Sequence, residues 1–168
     1  MQLIEPSLSY KDQYIDFMED WKSTGEVLVP SVLSMEYSNF DEYIQKLNNF
    51  SLGIGLPVGF VPHSTFWMVS DDRIIGASNF RHPLTEKLLK VDGNIGYGIR
   101  PSERKKGFAT LLLRLTLDKA RAIGLSKVLV TCYKDNIGSV KTILNNKGVL
   151  DSEEEISGKP LQRYWINL

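Results

Sequence analysis

The sequence predicts an α/β fold within a single domain spanning residues 1–168. Three observations carry this. Its second half alternates strand-like and helix-like runs, "NIGYGIR", "KKGFATLLLRLTLDKARAIG", "KVLVTCY" and "NIGSVKTILNNKG", the pattern of strands packed under helices. Two further pairs of strand-like runs, each joined by a short turn, supply antiparallel hairpins. At 168 residues, 42% hydrophobic and 24% charged, the chain has globular composition and needs one core, which at this size buries roughly 70% of the unfolded surface.

The elements follow in order. "MQLIEPS" is a short strand stopped by Pro6. In "LSYKDQYIDFMEDWKSTG", Tyr14, Ile15, Phe17, Met18 and Trp21 recur at helical spacing, and Gly25 ends the helix. "MEYSNFDEYIQKLNNF" places Phe40, Tyr43, Ile44 and Leu47 on one helical face, with Asn39 and Asp41 near its start. Residues 51 to 64, rich in glycine and proline, read as a long loop that borders a site or runs over the surface. "TFWMVSDDRIIGASNF" is a hairpin turning at Asp71-Asp72, and "RHPLTEKLLKVDG" is an irregular connection to the strand "NIGYGIR".

The strongest helix follows. Thr110, Arg114, Asp118 and Arg121 form one narrow polar stripe, and leucines fill the rest, so neighbours must cover it on more than one side; Gly124 ends it. "KVLVTCY" reads as a buried strand, "NIGSVKTILNNKG" as a helix, and "VLDSEEEIS" with "KPLQRYWINL" as a closing hairpin turning at Gly158.

Composition excludes several functions. Twenty Lys plus Arg balance twenty Asp plus Glu, so no overall field draws the chain to nucleic acid or a membrane surface. Cys132 is the only cysteine, which precludes an internal disulfide and suits a reducing compartment. No signal peptide and no membrane-spanning run is read, and a cytoplasmic location is expected. His63 and His82 do not stand at metal-ligand spacing, and no nucleophile elbow or P-loop occurs. Gly53, Gly55 and Gly59 miss the dinucleotide fingerprint, since no helix opens at Pro57.

One stretch does carry chemistry. "RPSERKKGFAT" places Arg100, Arg104, Lys105, Lys106 and Gly107 at the front of the long helix. A strand entering a glycine turn and then a helix aims unpaired backbone N–H groups at one spot, and the helix dipole adds about half a positive charge. That is an anion site. Gly107 and the small Ala109 let an anion approach the backbone, and Arg104 can bond a phosphate bidentately. Cations at a helix N-terminus otherwise cost roughly 0.3–1 kcal/mol each, which favours a bound anion over simple surface decoration.

These residues resemble a known family. Arg104-Lys-Lys-Gly-Phe-Ala109 has the Q/R-x-x-G-x-G/A form of the GNAT superfamily of acetyl-CoA-dependent N-acetyltransferases. "VLVTCYKDNIGSVKTILNNKGVL" is similar to the superfamily's next strand and its N-x-x-S helix. "RYWINL", "GFVPHSTFW", "RHPL" and "IGYGIRPSERKKG" resemble a bacterial branch of predicted acetyltransferases. The resemblance runs from about residue 51 to the end. It implies a mixed, mostly antiparallel seven-stranded sheet flanked by about four helices, an α+β arrangement in which two central parallel strands splay apart to admit the pantetheine arm of the coenzyme. It further implies that the backbone N–H groups of Arg104, Lys105, Lys106, Gly107, Phe108, Ala109 and Thr110 hold the pyrophosphate. Ile99 would meet the pantetheine through main-chain bonds, with Asn136 and Ser139 opposite.

The reaction so implied is direct transfer of acetyl from acetyl-CoA, the acyl-donor co-substrate, to an amine of a small molecule or protein, without a metal and by a monomer or homodimer. An alkyl ammonium with a pKa near 10.4 must lose a proton first. His82, at a strand end, is the candidate base, with Glu86 and Glu36 behind it; Arg81 is a candidate for holding a substrate carboxylate. The superfamily's usual acid, a tyrosine seven residues after the helix Asn, is Ile143 here. Tyr133 and Cys132 stand as substitutes, alongside water. The departure at Ile143 also supports an alternative, a non-catalytic acyl-CoA-binding module, and a scaffold binding an acidic partner through "RPSERKKG" is the third reading.

Overall fold

Apolar residues at helical spacing build the first half of a computed structural model that describes residues Met1–Leu168. After strand β1 (Gln2–Ile4), helix α1 (Lys11–Thr24) buries Tyr14, Phe17, Met18 and Trp21. It stops at Gly25, whose left-handed φ of 65° turns its N–H back onto the Lys22 carbonyl. Helix α2 (Phe40–Ser51) starts where the Asn39 side chain accepts from Glu42 N–H at 3.3 Å, and it buries Phe40, Tyr43, Ile44, Leu47 and Phe50. Both helices cover one face of a sheet through Trp67, Val69 and Ala77. Within that cluster the Tyr14 and Tyr43 hydroxyls bond each other at 2.7 Å, so neither polar tip is left unpaired.

Strands β2 (His63–Ser70) and β3 (Arg73–Arg81) form the expected hairpin, with Asp71 and Asp72 both at positive φ, as the favoured two-residue turn requires. Strand β4 (Ile95–Ile99) follows a connection that holds a short helical turn at Leu88–Asp92. Helix α3 (Phe108–Ala122) covers the opposite sheet face with Leu112, Leu113, Leu117 and Ala120. Its polar residue Thr116 is buried too, satisfied by Ser78 at 2.7 Å. Of the expected polar stripe, Arg114, Asp118 and Arg121 are exposed and Thr110 is half-buried. Strand β5 (Lys127–Tyr133), helix α4 (Ile137–Asn145) and the hairpin β6 (Val149–Ile156) and β7 (Lys159–Asn167) complete the chain.

The seven strands make two ladders, β1-β2-β3-β4 and β5-β7-β6, in which every pair is antiparallel. The expected single mixed sheet is therefore parted along the seam between β4 and β5. No helix is long and apolar enough to cross a membrane.

Candidate active site

Which edges of β4 and β5 face the seam follows from hydrogen-bond alternation. Arg81 N–H donates to Asn94 O at 2.7 Å and Arg100 N–H to Ile75 O at 3.0 Å, so even-numbered β4 residues bond β3. The main-chain groups of Ile95, Tyr97 and Ile99 therefore point the other way. On β5, Leu168 N–H donates to Ser126 O and Lys134 N–H to Pro160 O, each at 2.9 Å, which turns Leu129, Thr131 and Tyr133 toward β4. Asn94 joins the two edges at one end. Its N–H donates to Leu129 O at 2.7 Å, its Oδ1 accepts from Leu129 N–H at 2.8 Å, and its Nδ2 donates to Arg81 O at 3.0 Å. Gly93, at a φ of 61°, precedes it, and a Cβ there would meet Leu129 O at 2.5 Å. Beyond this stitch no ladder joins β4 to β5, and the strands open into a V.

Along the open edge of β4 lies a cleft of about 850 Å³. One wall is β4 from Tyr97 to Ile99; another is the start of α3, Gly107 to Thr110; a third is α4, with Asn136, Ser139, Lys141 and Thr142. Trp21, Glu26, Val27 and Val29, from the end of α1 and the loop after it, close the remaining side. Gly98 makes this closure possible: a Cβ there would overlap the Val29 carbonyl oxygen and press on Trp21. Two helix N-termini thus face one space, each with partial positive charge; the Phe108 and Ala109 N–H groups of α3 are unpaired, whereas at α4 the Ile137 N–H is taken by the Asp135 carbonyl. Asn136 caps α4 by accepting from Ser139 N–H at 3.1 Å, and Gly107 begins α3 in a left-handed conformation, φ 83°, with open space where a Cβ would be.

The four cations of "RPSERKKGFAT" divide between fold and cleft. Arg100 is buried and bonds Asp16 and Asp20, each at 2.7 Å, so it fastens the end of β4 to α1. Burial pushes the Asp20 carboxyl up, but bonds from Ser102 and Arg100 outweigh it and hold the group below the usual carboxylate range. Lys106 bonds Glu103 at 2.8 Å and does not line the cleft, which departs from the expectation for it. Arg104 and Lys105 do line it. Arg104 stacks on Trp21, 4.8 Å from the ring centre, donates from Nε to Ile99 O at 3.1 Å, and pairs with Glu26 at 2.7 Å. A carboxylate of the chain therefore occupies the guanidinium expected to meet phosphate. On the opposite wall Lys141 adds a further cation.

Deeper in, the Tyr97 and Ser139 hydroxyls bond at 2.9 Å. Burial pushes the Tyr97 phenol well above its ordinary value, against bonds from Ser139 and Thr142. Cys132 is buried behind this wall in the core between β5, α3 and β7, and burial raises its thiol too.

Ile99, Arg104, Lys105, Gly107, Phe108, Ala109, Thr110, Asn136 and Ser139 are brought together around the cleft. His82, Tyr133 and Cys132 are not among its lining residues. Phe80 pairs with Ile95 and Gly76 with Ile99, so His82, beyond Phe80, stands at the end of β3 away from the cleft mouth. There it bonds Ser64 at 2.9 Å, and burial lowers its basicity. Tyr133 is more than a third exposed, its ring 6.0 Å from Lys159 Nζ. Arg81 donates to the Asp92 and Gly93 carbonyls at 3.3 and 3.4 Å, capping the short helical turn. Ile143 is fully buried in the core. Residues not anticipated from sequence are Trp21, Glu26, Asn94, Tyr97, Lys141 and Thr142. The glycines flanking Tyr97 in "IGYGI" were the available signal, since glycine inside a strand marks close backbone approach.

Comparison with known proteins agrees with this geometry. A family model described as an acetyltransferase (GNAT) domain matches residues 3–147. No curated protein matches the chain at the sequence level. Among solved structures, the microcin C7 self-immunity acetyltransferase MccE, bound to acetyl-CoA and AMP, superposes with a TM-score of 0.69 at 16% identity, over 99% of this chain and 91% of that one. A Salmonella typhimurium acetyltransferase that modifies the N-terminal serine of a 50S ribosomal subunit protein gives 0.68 at 14%, over 99% and 94%. A spermidine N-acetyltransferase chimera from Vibrio cholerae and hSSAT gives 0.62 at 17%, over 99% and 96%. At these identities the likeness is one of fold.

Proposed function

Because this chain belongs to the GNAT family of acetyltransferases and is an acetyl-CoA-dependent N-acetyltransferase, we propose that the V between β4 and β5 is where it holds acetyl-CoA. The carrying observation is that the open edge of β4 and two helix N-termini converge on one cleft of about 850 Å³. The amides of a pantetheine arm complete the edge of β4 through Ile99 and Tyr97, as an added strand would. The pyrophosphate lies on the N–H groups from Gly107 to Ala109, with Arg104 and Lys105 beside it, and Asn136 and Ser139 border the arm from α4. Acyl transfer at this cleft proceeds by positioning and hydrogen bonding.

The acceptor is an amine of a small molecule or a protein. Both classes occur among the structural neighbours, spermidine in one and a protein N-terminal serine in another. Both cleft carboxylates stand at the end proposed for the pyrophosphate, Glu26 beside Arg104 and Glu103 beside Lys106, so we assign removal of the acceptor's proton to water rather than to a cleft side chain. The test is release of coenzyme A thiol from acetyl-CoA with a panel holding spermidine, other polyamines and peptides with a free N-terminal serine, each product checked for an acetyl mass increment. Acceptor-dependent release supports the reading. Acetyl-CoA binding without release for any amine would leave a coenzyme-binding module instead.

A further inference from the structure

Breaking a thioester leaves a thiolate, and some group in the cleft must meet that charge. Few candidates line it. Glu26 and Glu103 are acceptors bound to cations, Thr110 belongs to the start of α3, and Tyr133 and Cys132 are outside the lining. The hydroxyls that remain are Tyr97, Ser139 and Thr142, and they are in contact: Tyr97 Oη lies 2.9 Å from Ser139 Oγ. Tyr97 sits on β4 between Gly96 and Gly98, three residues from the Asn94 stitch and two from Ile99. At roughly 3.3 Å per residue that puts it about 10 Å from the apex of the V, on the inner part of the wall where the far end of an extended arm arrives when its pyrophosphate is at Gly107. The main-chain groups of Tyr97 face the open edge while its ring crosses to α4.

Resting on the coenzyme site proposed above, we propose that Tyr97 is the proton donor to the departing coenzyme thiolate, with Ser139 as its relay. The acceptor nitrogen forms a bond to the acetyl carbon, and the carbon–sulfur bond breaks with its electron pair leaving on sulfur. The nitrogen's surplus proton passes to water. Tyr97 Oη gives its proton to sulfur and regains one through Ser139 from cleft water, so the net change is amine plus thioester to amide plus thiol. Burial keeps the phenol protonated across the working range, so the donor is present whenever the thioester is bound.

The experiment uses the full chain with saturating acetyl-CoA and hydroxylamine, a small nucleophile largely unprotonated at neutral pH that needs no dedicated acceptor pocket. Tyr97→Phe keeps the ring and removes the proton. It is expected to lower kcat roughly 10- to 100-fold, within the range of general-acid contributions, while the affinity for acetyl-CoA measured by calorimetry changes less than twofold. Fluorinated tyrosines placed at position 97 keep the hydroxyl while making it more acidic. They are expected to restore activity at neutral pH and to introduce a high-pH fall in kcat that moves to lower pH as fluorination increases. A packing role would not produce that movement. A Tyr97→Phe variant with kcat within twofold of the parent, or a loss that fluorotyrosines neither restore nor shift with pH, overturns the proposal while acetyl-CoA binding still stands. Absence of acetyl-CoA binding by the parent chain overturns the coenzyme site and this role with it.

Discussion

If the coenzyme's pyrophosphate takes Arg104, it must first displace Glu26, and the cost is set by the pair in the structure. Arg104 and Glu26 meet at 2.7 Å with 35% and 48% of their side chains exposed, a partly solvated pair worth about 0.2–1 kcal/mol. Glu26→Gln removes the competitor and leaves the rest of the cleft intact. At about 1.4 kcal/mol per tenfold, acetyl-CoA is expected to bind about 1.4- to 5-fold more tightly. Arg104→Gln removes a charge-assisted contact to phosphate of about 1.5–3 kcal/mol along with the need to break the pair, a net loss of about 0.5–2.8 kcal/mol, or about 2- to 100-fold. The double variant should match Arg104→Gln alone, because Glu26 then has nothing to withhold. Titration calorimetry with acetyl-CoA at fixed low salt reads all three. Weaker binding by Glu26→Gln, or independent effects in the double variant, would refute the competition.

Asn94→Ala leaves the Leu129 N–H and the Arg81 carbonyl without their side-chain partner. At about 1–3 kcal/mol for each group, urea unfolding should show a loss of about 2–6 kcal/mol, and a loss below about 1 kcal/mol would mean the seam does not depend on it. His63 is buried, with Asn79 Nδ2 2.8 Å from its Nδ1, and burial, helped by Arg81 and His82, pushes its pKa from 6.5 down to about 4. A folded-state value below the unfolded one means that the unfolded chain binds the proton first. Its contribution is therefore complete above pH 6.5 and lost as pH falls toward 4, by about 2 kcal/mol at pH 5. Urea unfolding of the parent and of His63→Gln at pH 7 and pH 5 should show a smaller acid loss in the variant by that amount; equal losses would contradict it.

Much of the fold was legible because local signals agreed with it. Gly25, Asn39, the Asp71-Asp72 turn and the Ser157-Gly158 turn mark boundaries that the structure keeps. The glycine turn that opens α3 was legible for the same reason, since Gly107 and the helix behind it are contiguous in sequence. What escaped depends on contacts between distant segments. Glu26 reaches Arg104 across 78 residues, and Tyr97 meets Ser139 across 42. Asn94 reads only as the first residue of the strand "NIGYGIR", because nothing local says that its side chain completes the edge of another strand. Arg100 looked like one of four equivalent cations, and only its burial against Asp16 and Asp20 separates it from the others. His82 drew notice as a histidine at a strand end, but the antiparallel register carries that end away from the cleft mouth.

The central claim, that acetyl-CoA lies in the V with its pyrophosphate at the start of α3, is tested most directly at Gly107. Its φ of 83° and the open space beside its Cα mean that Gly107→Glu projects a carboxylate where the phosphates would sit, at a strain of roughly 1–2 kcal/mol for a left-handed non-glycine residue. Calorimetry of acetyl-CoA binding to the parent and to folded Gly107→Glu should give saturable binding by the first and at least a tenfold weaker affinity in the second. Equal affinity in the two chains would contradict the claim.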